Sequence, residues 1–344
     1  LVSEFSSGVK LFFLLENDNT LNCECFRIRS CLYMNAIDRM SEIIGLSPVK
    51  DKIPFVCVET VDCGAYARSR IEYKVNGRII YAYLLIPKGE GIFPAVLVNH
   101  QHNRELNLGK SEVCGIEGNP LQAFGSALAE KGFVVISPDA ICFEDRRANK
   151  QGTVENKEQD DWNYFLALCN GILTGETLAK IAIEDAMGAI SVLNSLEFVD
   201  RSKIGCMGHS YGGNTTYFTT AFDKRIRYAL SSGSVVSYKI RIENNTGIEK
   251  ASIIPGFIKE FEIADVIKEI APRSFMIVCA SEDKWSKDAP EIYEIAKENF
   301  MLKGAEGKLE IKQYPGGHAI TPERFEFIID WIYRQGRGVR CEVQ

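Results

Sequence analysis

Ser210 lies in Gly208-His209-Ser210-Tyr211-Gly212, a G-x-S-x-G pattern. This pattern suits a serine nucleophile at the tip of a sharp strand-to-helix turn. The strained backbone and crowded neighbours there require glycine two positions before and two after. The flanks fit. Lys203-Ile204-Gly205-Cys206-Met207 is a short, mostly apolar segment of the kind buried in a parallel sheet, and Asn214 to Ala221 has no Gly or Pro. A serine hydroxyl is a weak nucleophile near neutral pH, so it needs a base within hydrogen-bond reach and a group that orients the base. The chain has four histidines. His209 adjoins the nucleophile and cannot fold back onto it, and His100 and His102 follow a different strand. His318, in Tyr314-Pro315-Gly316-Gly317-His318, is the base that this elimination leaves. The orienting acid belongs at a strand end between the two. Ser274 to Ala280 (SFMIVCA) runs into Ser281-Glu282-Asp283, where Asp283 is favoured and Glu282 is the alternative.

Acyl transfer also needs donors for an oxyanion. The backbone N–H of Tyr211 is one candidate. The other is Gln101, or else His102, in the loop after Phe93 to Asn99. His100-Gln101-His102 could offer two imidazoles to zinc, but the following Asn103-Arg104-Glu105 adds no further His or Asp. A catalytic zinc takes three protein ligands, so no metal is expected.

Positioning these residues requires strands that alternate with helices. Phe55 to Glu59, Ala65 to Val75 and Arg78 to Pro87 read as strands, with Asn76-Gly77 as a hairpin turn. Phe93 to Asn99 and Phe133 to Ser137 are continuous apolar runs suited to a parallel sheet buried on both faces. Leu121 to Lys131, Glu176 to Leu196 and Pro322 to Tyr333 read as helices, and Tyr228 to Ser232 and Leu309 to Gln313 as further strands. The expected fold is α/β, a doubly wound, mainly parallel sheet with an antiparallel leading hairpin. Residues 141–174 and 234–270 interrupt the alternation after sheet strands. They are the candidate lids, because ligands in such sheets sit beyond the carboxyl ends of the strands. Residues 1–33 differ in composition from the rest. They are expected to form a peripheral extension upstream of a natural start at Met34, followed by a helical segment over 34–54 and the main domain over 55–344.

Composition narrows the function. A net charge of −6 gives no basic footprint for nucleic acid and no polybasic membrane patch. No apolar run approaches the length of a membrane span. Eleven cysteines without C-x-x-C spacing point to a reducing compartment, the cytoplasm. Nothing in the sequence sets the oligomeric state.

From about Phe55 to Arg334 the chain resembles the α/β-hydrolase superfamily. More narrowly it is similar to the dienelactone-hydrolase-like and acetyl-xylan-esterase-like bacterial hydrolases. The segments that carry the resemblance are PAVLVNHQHN, LAEKGFVVISPDA, DRSKIGCMGHSYGG, IAPRSFMIVCASEDKW and YPGGHAI. The resemblance implies a Ser210-Asp283-His318 triad, no metal or organic cofactor, and hydrolysis of a small carboxylic ester. Two departures stand out. His100-Gln101-His102-Asn103 replaces the glycine-rich HGGG or HGxG of many relatives, and serine stands where dienelactone hydrolases proper use cysteine. The polar loop 100–119 and the charged opening of 141–174, Glu144 to Arg147, argue for a short acyl group on a polar alcohol rather than a lipid. His102 and Trp162 are the expected substrate contacts. A serine peptidase on the same scaffold, or a ligand receptor without catalysis, are the rival readings.

Overall fold

The computed structural model describes residues 35–338; the expected extension over 1–33 lies outside them. Among the described residues nine strands form one sheet: β1 Phe55–Asp62, β2 Tyr66–Val75, β3 Arg78–Pro87, β4 Phe93–Asn99, β5 Val134–Pro138, β6 Val199–His209, β7 Tyr228–Ser232, β8 Ser274–Ala280 and β9 Leu309–Tyr314. Their spatial order is β1-β2-β3-β5-β4-β6-β7-β8-β9. The first three strands are antiparallel, and β3 pairs antiparallel with β5. From β5 onward every neighbouring pair is parallel. Asn76 (φ 47°) and Gly77 (φ 85°) both adopt positive φ in the β2–β3 turn. A two-residue turn of that kind matches the twist of the strands it joins.

Strands β5, β7 and β8 are buried along their whole length, as a sheet covered on both faces demands. One face packs against Ile183, Ile190 and Leu193 of the helix Leu178–Ser195 and Phe218 of the helix Tyr211–Phe222. The other packs against Phe124 and Leu128 of Phe124–Glu130 and Ile328 and Trp331 of Pro322–Arg337. The order reverses at β4, whose neighbours β5 and β6 lie on opposite sides. A crevice opens outside the carboxyl ends of the strands at such a switch point. Gln101, Ser210, Asp283 and His318 all follow carboxyl ends: those of β4, β6, β8 and β9.

Residues 141–174 are the first candidate lid, a stretch to which the sequence reading assigned no helix. They form a single 3-10 turn, Glu144–Arg146, and an 18-residue helix, Lys157–Thr174. The helix buries only Asp160, Tyr164 and Gly171, so its apolar residues do not line up on one face and periodicity does not reveal it. Gly175 (φ 76°) ends it, and the next helix leaves at 95°. No single described helix is long and apolar enough to cross a membrane.

Candidate active site

Strand β6 delivers Ser210 at φ 55°, ψ −122°, the residue before the helix Tyr211–Phe222. A positive φ is costly for any residue with a Cβ and persists only where the surroundings fix it. Here the Ser210 N–H donates to the Ser232 carbonyl at 2.8 Å, and the Ser210 carbonyl accepts from Gly213 and Asn214 N–H at 2.9 and 3.1 Å. The flanking glycines are required by space. A Cβ on Gly208 would sit 2.4 Å from the Gly212 backbone, and one on Gly212 would sit 2.2 Å from the Asn99 carbonyl oxygen. Gly213 faces the Ser234 hydroxyl in the same way, at 2.3 Å.

His318 Nε2 lies 2.8 Å from Ser210 Oγ, and His318 Nδ1 lies 3.1 and 3.0 Å from the two carboxylate oxygens of Asp283. Asp283 is 3 % exposed. Burial pushes its carboxyl up, but the hydrogen bond and charge of His318, the Trp285 N–H and the Ser286 hydroxyl outweigh burial and hold it below the ordinary value. Glu282, the alternative acid, is exposed, and its backbone N–H is tied to the Gly316 carbonyl. Asp283→Asn is therefore expected to cut turnover by about a thousandfold or more, because an amide cannot hold the imidazole in the required tautomer. Glu282→Gln should stay within a few-fold of the parent. Steady-state rates for the two variants check this, and the reverse ranking would remove Asp283 from the triad.

Two further residues hold His318 in place. Arg324 is buried in the first turn of the helix Pro322–Arg337, an end where a cation opposes the helix dipole. Its guanidinium instead donates to the carbonyls of Pro315, Gly317 and Ala319 at 2.8–3.0 Å and so fixes the loop around His318. His209 packs 4.7 Å from the His318 ring and bonds to the Ser232 hydroxyl. Burial and then the His318 charge hold His209 well below the ordinary value, so it remains neutral beside His318.

Tyr211 opens its helix, so its N–H has no intrahelical acceptor. Gln101 lines the same cleft as Ser210 and Tyr211, and its side chain is clamped by both oxygens of buried Glu112 at 3.1 Å. His100 Nδ1 bonds to the Gln101 carbonyl, and its Nε2 accepts the Ala140 N–H. Burial depresses its pKa to about 4, so it is a neutral loop anchor with neither ring nitrogen open to a metal. His102 does line the cleft. Its Nδ1 lies 3.2 Å from the Arg104 backbone nitrogen and 3.6 Å from the Glu249 carboxylate, and its Nε2 is buried and unpartnered among the described residues.

The cleft holds about 360 Å³, room for a small ester. Its walls take Ser234, Arg241, Glu249 and Lys250 from 234–270, and Lys284 and Trp285 from the loop after β8. Residues 141–174 contribute none of this lining. Trp162, expected at the substrate, is 58 % exposed and packs against Phe165. It lies on the outward side of its helix; the buried aromatic there is Tyr164, whose hydroxyl supports Glu249 from behind. The signal for Trp285 was its place two residues after Asp283.

The charges expected to make polar walls also behave differently. Glu144 and Arg147 are buried, and neither lines the cleft. Asp139, Glu144 and Asp145 converge with metal-ligand spacing, but the Lys110 ammonium occupies their centre. Lys110 is 0 % exposed. Burial alone would lower its pKa; Asp139 and Glu144 more than offset that and raise it, so the ammonium stays charged. Glu144 further accepts the Gly109 and Ser111 N–H groups. The cluster pins the loop that carries Gln101 to the end of β5.

The prolyl oligopeptidase family (Peptidase_S9) matches residues 176–244, a stretch that contains Ser210 but neither Asp283 nor His318. The Bacillus subtilis (strain 168) protein named "Putative hydrolase YtaP" is 26% identical over 263 residues, 73% of this chain and 83% of that one. Among solved structures, a "putative acetyl xylan esterase" from Bacteroides fragilis NCTC 9343 aligns with a TM-score of 0.67 at 15% identity, covering 81% of this chain and 73% of the other. A glucuronoyl esterase from Solibacter usitatus aligns with a TM-score of 0.58 at 13% identity, covering 86% and 92%. The chain thus has the α/β-hydrolase fold. At these identities the likeness speaks for the fold alone, and the chemistry lies in the site.

Proposed function

We propose that the protein is a serine hydrolase of carboxylic esters, with a short acyl group on a polar alcohol as substrate. The observation that carries this reading is the unbroken hydrogen-bonded line from Ser210 Oγ through His318 to Asp283 at the floor of a cleft. In the proposed reaction Ser210 Oγ attacks the ester carbonyl carbon and its proton passes to His318 Nε2. Asp283 stabilises the imidazolium, and the Tyr211 and Gln101 N–H groups receive the oxyanion. The alcohol leaves with the proton from His318. Water, deprotonated by His318, then attacks the acyl-serine and regenerates the enzyme.

The short-acyl reading is supported by polar lining close to Ser210, including Asn103, Asn214 and Ser234, where a long acyl chain would need an apolar groove. A series of p-nitrophenyl esters tests it. Specificity constants are expected to fall from acetyl to octanoyl; a rise along the series would reject the assignment. One observation favours a second reading. The Peptidase_S9 match covers the nucleophile, so a peptide p-nitroanilide panel belongs in the same assay. Faster cleavage of an anilide than of every ester would make the protein a peptidase. A receptor that uses the fold without catalysis would turn over neither.

A further inference from the structure

Arg241 is 4 % exposed and lines the cleft that holds Ser210. A buried charge is normally paired with an opposite one, because desolvation without compensation is costly. Arg241 has no carboxylate partner among the described residues. Its only side-chain hydrogen bonds there are two long ones from Nη2, to Asn214 Oδ1 at 3.5 Å and to the Ser234 carbonyl at 3.4 Å. Its guanidinium carbon lies 5.8 Å from the centre of the Trp285 ring. The other cations of the cleft, Arg104, Lys250 and Lys284, also form no ion pair among the described residues. Lys250 and Lys284 instead sit over the rings of Tyr164 and Trp285 at 4.5 and 4.7 Å. The one acid among the described lining residues, Glu249, is engaged by the Tyr164 hydroxyl and faces His102 Nδ1 at 3.6 Å. Four cations against one committed acid leave the cleft positively charged in a protein whose net charge is −6.

We infer that the substrate carries a carboxylate and that Arg241 is the residue that selects for it. The inference rests on the ester-hydrolase reading and names the substrate class of that same site. Its geometry is constrained. Asn214 N–H bonds to the Ser210 carbonyl, one helical turn from the nucleophile, and Asn214 Oδ1 accepts from Arg241. Asn214 thus ties the guanidinium to the helix that begins at Ser210, and all three residues line the one cleft. A substrate whose ester sits at Ser210 would therefore present a nearby carboxylate to Arg241 within that cleft. A planar guanidinium fork binds a carboxylate through two parallel hydrogen bonds, which an ammonium cannot reproduce. The carboxylate could sit on the acyl side or the alcohol side, and the chemistry at Arg241 is the same for both.

Two matched pairs of esters separate the sources. On the acyl side, p-nitrophenyl hemisuccinate is compared with p-nitrophenyl butyrate; on the alcohol side, O-acetyl galacturonate is compared with O-acetyl galactose. In at least one pair the charged ester is expected to have a kcat/KM about tenfold to a hundredfold higher, the value of a hydrogen-bonded charge pair. Arg241→Gln should collapse that ratio and Arg241→Lys should restore part of it, with melting curves verifying that both are folded. Succinate binding to the unmodified protein, with succinamide as the neutral control, needs no variant. Parity in both pairs, a ratio that survives Arg241→Gln, or succinate binding no tighter than succinamide would each overturn the inference. Turnover of none of the four esters would count against the ester-hydrolase reading instead, and the succinate comparison would still decide the carboxylate site.

Discussion

Ser210→Ala is expected to lower ester turnover by on the order of a millionfold while leaving the melting temperature nearly unchanged. Triad members act as a unit, so removal of the nucleophile costs almost all of the covalent route. The residual rate would come from oxyanion donors and binding alone. Stability should hold because the strained backbone at φ 55° is enforced by the bonds to Ser232, Gly213 and Asn214, none of which involves the hydroxyl. Alanine is as strained there as serine, so the folded state gains or loses little. Combining Ser210→Ala with His318→Ala should add almost no further loss. Rates for the single and double variants, with thermal unfolding in parallel, check both parts. Retention of a tenth of the parent activity in a clean preparation would remove Ser210 from the reaction.

Lys110→Met is expected to be among the most destabilising single changes in the chain, by about 3–5 kcal/mol. The substitution keeps the aliphatic stem and deletes only the charge. Asp139, Glu144 and Asp145 would then face one another without their common cation. Burial and the nearby Glu144 already push the Asp139 carboxyl up, to about 7, even with Lys110 present. Chemical denaturation should therefore show a large loss of midpoint, or the variant should fail to accumulate as soluble protein. Adding Glu144→Gln to Lys110→Met should recover part of the loss, since it removes one of the stranded charges. A change below about 1 kcal/mol, the range of a surface pair, would show that the cluster does not hold the loop.

The turn at Ser210 was legible in the sequence for a local reason. A G-x-S-x-G turn is a steric requirement written within five residues, and the structure places Asn99, Gly212 and Ser234 against the glycines that satisfy it. With four histidines to choose from, elimination reached His318, and the strand before Asp283 narrowed the acid to two neighbours. The leading hairpin was equally local, since Asn-Gly fixes both positive-φ positions of the β2–β3 turn. Features that depend on burial were not legible. Glu144 reads as a solvated charge in any linear window, yet it is buried because Lys110, more than thirty positions away, neutralises it. Trp162 and Tyr164 are two residues apart on one helix, and only the packing of that helix decides which of them turns inward. Arg241, Lys250 and Lys284 come from separate parts of the connections after β7 and β8, so their convergence on the cleft of Ser210 has no signature in spacing.

The central claim is that Ser210 is a nucleophile activated by His318. The most direct test treats the protein with a fluorophosphonate and locates the adduct by peptide mass spectrometry. The account predicts a single adduct on the Ser210 hydroxyl, formed slowly in His318→Ala and absent from Ser210→Ala. An adduct on a different residue, or no labelling of the folded parent protein, would contradict it.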